Sequence, residues 1–195
     1  VVALALWNAE PQALLLNAKG FGYPESFQYL KYLGIMVLLG HVVLREKQWA
    51  YLPLLPLFGI LWADDVLQLH HWASAALVRY LGVGGLAGPW AHAVGQVLYT
   101  GLMSLFFILI TLHSYLKAPL TIKRTFLEII ALLGAFLFFG VVLDVAQGFF
   151  GAYPYILAFL TVLEEGGEML VLSLMVWYFL RLAQQGNSKT TIFLG

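Results

Sequence analysis

Leu163-Glu164-Glu165-Gly166-Gly167-Glu168-Met169 sets three carboxylates inside an apolar run, 155–183, that is long enough to cross a bilayer. A charge of this kind at membrane depth costs roughly 2.5–3.5 kcal/mol on insertion scales. Three in one run will not persist as lipid-facing anions. They must face other helices, take up protons or hold a cation. The stretch therefore implies a helical bundle whose interior, not its rim, carries the acids.

Composition agrees. Of 195 residues, 62% are hydrophobic and 10% charged, with mean hydropathy +0.86. Soluble domains are nearer about 45–50% apolar and about 25% charged. The expected fold is all-α: one polytopic integral membrane domain over 1–195, with about five transmembrane helices and one short interfacial or re-entrant helix. Net charge is zero and no basic cluster occurs, which argues against nucleic acid as a partner. With no cysteine, disulfides, thiolate metal sites and cysteine nucleophiles are excluded.

Residues 1–27 read as an extramembrane lead-in, since Asn8, Glu10, Pro11, Lys19, Gly20 and Pro24 interrupt any apolar period. Val1 to Leu6 has no basic n-region and does not read as an intact signal peptide; its apolar character leaves room for a preceding helix. The expected spans are 27–44, 49–71, 90–116, 126–150 and 155–183, followed by a polar tail, 184–195. Ser26 reads as the N-cap of the first, and Pro53 and Pro56 predict a bend at the start of the second. Residues 72–81 are amphipathic and too short to cross. Residues 82–89 read as a flexible glycine-rich break.

The basic residues set an expected orientation. Arg45 and Lys47, then Lys117, Lys123 and Arg124, then Arg181 and Lys189 fall on one side of an alternating five-span path. The positive-inside rule makes that side cytoplasmic. The N-terminus is then expected outside and the C-terminus inside.

With this topology, six of the ten acids and three of the five histidines gather in the outer half. Lys31 and Arg79 are the nearby bases expected to pair with them. On a continuous second span Asp64, Gln68 and His71 share one face (i, i+4, i+7). His92 and Gln96 share another, as do Asp144 and Gln147. Glu168 shares a face with both Glu164 and Glu165. Gly166 and Gly167 beside them offer a close helix contact.

Carboxylate oxygen with neutral imidazole suits Zn, Mn or Fe over Ca or Mg. A divalent metal is therefore the expected cofactor, with Asp64, His71, Asp144, Glu165 and Glu168 as ligands and Asp65, Glu164 and His92 as second choices. Such a site is compatible with a metal-dependent enzyme acting on a lipophilic substrate. The Glu-x-x-His motif of bundled di-iron proteins is absent, because Glu165-x-x-Glu168 ends in glutamate. Two rivals stand beside this reading. One is an accessory subunit of a larger membrane complex, with the polar layer fixing helix packing; the other is a proton or cation transporter. Lipids are expected partners, and other membrane subunits under the first rival. His41 is expected to hydrogen-bond a neighbouring helix, His113 to snorkel to the interface, Glu128 to suit the dipole at its helix start, and the hydroxyls Tyr99, Thr100 and Ser104 to bond the local backbone.

Overall fold

The computed structural model describes residues 23–45, 47–82 and 88–190, and among these the chain is helical throughout, without strands. The elements are α1 (Tyr23–Leu44), a 3₁₀ turn (Trp49–Tyr51), α2 (Leu54–Leu67), α3 (Leu69–Tyr80), α4 (Gly88–Lys117), α5 (Leu120–Leu137), a π-turn (Phe138–Val142), α6 (Leu143–Phe150) and α7 (Pro154–Thr190). Four segments are long and apolar enough to cross a membrane: Ser26–Leu44, Trp49–Leu67, Trp90–Lys117 and Leu120–Phe150. By length and composition the chain is a multi-pass integral membrane protein. The 37-residue α7 spans roughly 55 Å at 1.5 Å per residue, and its three glutamates set it apart from a plain apolar span.

Several boundaries move from those expected. The first helix begins at Tyr23, so Ser26 lies inside it and is no N-cap; Pro24 falls in the first turn, where a missing N–H costs nothing. The proline-bearing entry to the second span resolves into the 3₁₀ turn and a helix whose N-cap is Pro53. Lys123 and Arg124, expected in a loop, sit in the opening turns of α5. The expected polar tail from 184 is helical as far as Thr190. The lead-in 1–22 and most of the glycine-rich break, 83–87, lie outside the described residues, as does 191–195.

The largest correction falls in the second span. Gln68 adopts a left-handed conformation (φ 51, ψ 41), and its N–H returns to the Asp64 carbonyl as a helix C-cap. One helix over 49–71 is thereby divided into α2 and α3. The short α3, too short to cross, lies against α4.

α1 runs between α2 and α7, while α7 also receives α5 and α6. The tight core sits at the end where α1 finishes and α2 begins. Tyr32, Ile35, Leu39, Val43, Phe58, Phe126, Leu172 and Phe179 are buried there or nearby. Phe58 meets Phe179 edge-on at 5.5 Å, and Tyr51 meets Phe126 at 5.6 Å. Such aromatic pairs add to the packing that, in lipid, replaces hydrophobic drive between helices. The opposite end, built from the start of α1, the end of α2, the start of α4, α6 and the first half of α7, carries the polar residues.

An intramembrane acidic chamber as candidate functional site

Between α2, α4, α5, α6 and α7 lies a cavity of about 540 Å³, within the usual range of small-molecule sites. Asp64, Asp65, His70, His71, Gln96, Tyr99, Asp144, Glu164 and Glu168 line one end. Leu57, Leu61, Met103, Phe107, Phe126, Ile129 and Leu133 line the rest. Acids from three distant parts of the chain thus share one cavity wall, as their common depth in the sequence predicts.

Each carboxylate has its own support. Tyr99 Oη donates to Asp64 Oδ1 at 2.9 Å, and His70 Nδ1 lies 3.5 Å from Asp64 Oδ2. His92 Nε2 meets Asp144 Oδ2 at 3.2 Å. Gln28 Nε2 donates to Glu168 Oε2 at 3.1 Å. Gln147 Nε2 donates to Glu164, while its Oε1 accepts from Thr161 Oγ1 at 3.1 Å. Asp65 Oδ2 is shut off from the surface, and the equally buried Tyr32 hydroxyl is the donor beside it.

The histidines form a row. His70 and His71 rings are 4.2 Å apart, and His71 and His92 rings 6.5 Å. The row is tied at one end to Asp64 and at the other to Asp144. His70 and His71 lie beyond the last span residue, Leu67, and respond oppositely. Burial pushes His70 down, but the Asp64 hydrogen bond and the charges of Asp64, Asp65 and Asp144 reverse this, so its net shift is upward. Burial, then the charge of His70, push His71 down.

Neither base expected to pair with the acids forms an ion pair with one here. Lys31 Nζ donates to the Met169 carbonyl at 2.9 Å and rests 4.4 Å from the Phe27 ring centroid. Arg79 bonds the Ala75 carbonyl of its own helix. Among the described residues the acids of the chamber meet histidines instead, His70 at Asp64 and His92 at Asp144.

Of the five expected metal ligands, Asp64, His71, Asp144 and Glu168 line the cavity, and Glu165 does not. Of the second choices, Asp65 and Glu164 line it, and His92 stands behind Asp144. The break at Gln68 takes His71 off the Asp64 face and delivers His70 in its place. Among the described residues no three His, Asp or Glu side chains stand together as a group able to hold a metal ion. The donor chemistry fits a borderline cation, but these side chains are spent on separate partners.

Comparison with protein-family models, curated proteins and solved structures finds no match.

Several contributors escape the acid-and-histidine reading. Gln28, Lys31 and Tyr32 form an i, i+3, i+4 stripe on α1 that faces α7, a spacing legible in advance. Tyr99, expected to bond locally, reaches across to Asp64. Gly140, in the π-turn, lies directly against the Glu168 carboxylate, and Gly167 against the Phe139 ring. Gly166 has open space, so the close contact expected of the glycine pair belongs to Gly167. Outside the chamber, His41 and His113 are on the exterior, and Glu128 accepts from Tyr178 at 2.6 Å.

Proposed function

We propose that the protein is a five-span membrane protein that takes a lipophilic molecule from the bilayer into this chamber and holds its polar end against the carboxylates. The observation that carries this reading is the two-part wall of the cavity, acidic at one end and mostly apolar along the rest, where Thr100, Ser104 and Thr111 are the polar exceptions. A purely structural polar layer has no need of an apolar void beside it, because voids forfeit packing contacts. The α4 wall from Gln96 to Thr111 runs roughly 22 Å along the helix, long enough for a single extended chain. The basic loops support an N-terminus outside and a C-terminus inside.

The test is occupancy. Protein purified in mild detergent, extracted and examined by mass spectrometry, should carry a lipophilic species in stoichiometric amount. Leu133→Trp, which fills the apolar shaft, should expel it. Retention of the same species by a folded Leu133→Trp variant would place it elsewhere on the protein.

A divalent metal is the second reading. The row His70, His71 and His92, ending on Asp64 and Asp144, supplies imidazole and carboxylate donors of the type Zn, Mn and Fe take. Binding would have to draw these side chains away from Tyr99 and from each other. Metal analysis of native protein against Asp144→Asn and Glu168→Gln decides it: metal at a stoichiometric level in the native chain alone supports the site.

A further inference from the structure

We infer that the chamber selects a molecule whose head group is a cationic amine on a long hydrocarbon chain. This rests on the reading that the cavity holds a lipophilic ligand, and it names the ligand's chemical class.

Gln96 is 4% exposed, lies on the cavity wall, and its Oε1 has no partner. Buried acceptors are rarely left so, because each forfeits its hydration. Gln96 is one helical turn from Tyr99 on α4, and Tyr99 is bonded to Asp64 on α2. Asp65, next to Asp64 on the same wall, is also shut off, with the buried Tyr32 hydroxyl of α1 as its neighbour. Gln96 Oε1 therefore waits at the acidic end for a donor.

Charge narrows the choice. Asp64, Asp65, Asp144, Glu164 and Glu168 share the wall, while Lys31 is turned to a backbone carbonyl and Arg79 to its own helix. The donors already present face the acids, Tyr99 and His70 at Asp64, Tyr32 at Asp65, His92 at Asp144, Gln147 at Glu164 and Gln28 at Glu168, and none reaches Gln96 Oε1. A carboxylate, phosphate or sulfate head would add acceptors and negative charge to a place full of both. A hydroxyl brings one donor and no charge. A primary ammonium brings three N–H donors, as the lysine head does, and a positive charge to a wall where five carboxylates meet two histidines. The hydrocarbon chain follows from the mostly apolar shaft beyond, walled by Leu61, Met103, Phe107, Ile129 and Leu133 with no charged group among them, its Thr111 hydroxyl turned to the Phe107 carbonyl of its own helix.

Native mass spectrometry of the full chain in detergent, with EDTA throughout, tests this using three probes that share one chain: oleylamine, oleyl alcohol and oleic acid. Oleylamine should form a one-to-one complex at a concentration about tenfold or more below that needed for the alcohol, the range set by hydrogen bonds to charged groups. Oleic acid should be the weakest. Asp65→Asn, nearly isosteric, and Gln96→Leu should each erase most of the amine's advantage over the alcohol, and either variant suffices if the other fails to fold. Equal binding of amine and alcohol to the native chain, or tight binding of the acid, would overturn the head-group assignment and leave the lipophilic cavity standing. Failure of all three probes would remove the cavity reading itself.

Discussion

The Glu168 carboxylate rests directly on the backbone of Gly140, at the centre of the π-turn that joins α5 to α6. A π-turn inserts one residue into a helix and is frequent at functional sites. Here it opens the helix wall where an acid from α7 must fit. A methyl group at Gly140 would occupy the place of Glu168 Oε1.

Gly140→Ala should therefore displace Glu168 from Gln28 and cost about 1 kcal/mol, the worth of one hydrogen bond. Gly167→Ala should cost more, about 1–3 kcal/mol, because the Phe139 ring must give way in a packed interface. Gly166→Ala, with open space around it, should be neutral or stabilising by up to about 1 kcal/mol through helix propensity. Thermal melts of the three variants in one detergent give the order; a melt in which Gly166→Ala is the worst contradicts these contacts.

Gln68 carries the break between α2 and α3 at φ 51. A left-handed residue with a Cβ costs roughly 1–2 kcal/mol, so Gln68→Gly should raise stability and Gln68→Ile should lower it. If both variants melt lower, with glycine the worse, the chain does not break there. A continuous helix, losing propensity at the glycine, accounts for such a result.

His70 should hold its proton to higher pH than His71 does. The sign follows from the shifts. His70, raised, contributes stability that is full below its ordinary value near 6.5 and is lost as pH rises through its folded value. His71, lowered, contributes stability present above that ordinary value and lost as pH falls through its folded value. Histidine NMR between pH 5 and 8 (about the range where imidazole titrates) reads both. Asp64→Asn should drop His70 and narrow the gap. A His71 that titrates above His70 refutes the Asp64 pairing.

The absence of cysteine makes topology simple to read. Gly151→Cys should react with a membrane-impermeant maleimide added to intact cells, and Arg45→Cys only after permeabilisation. The reverse pattern inverts the orientation drawn from the basic loops.

Much of the architecture was legible in the chain before any coordinates. Apolar runs of span length, broken by Arg45 and Lys47 or by Lys117 and Pro119, can satisfy their backbone polar groups in lipid only as helices. The shared depth of Asp64, Asp144 and Glu168 was legible too, because depth follows from residue count along a helix of fixed rise. The α1 stripe Gln28-x-x-Lys31-Tyr32 was equally available from spacing.

Partnering was not legible in the same way. Face arguments assume an unbroken helix, and one left-handed residue at Gln68 rotated His71 away and brought His70 to Asp64. Lys31 looked like a counter-charge until the approach of α7 placed the Met169 carbonyl within its reach. Sequence alone fixed helices, their rough limits and the level of the acids, since these obey local hydrogen bonding and the cost of charge in lipid. Only the packed bundle decided which side chains meet, and that a cavity stands beside the acids, because those outcomes turn on a break in one helix, a π-turn in another and glycines at the contact, none of which carries a local energetic signature strong enough to read from the chain.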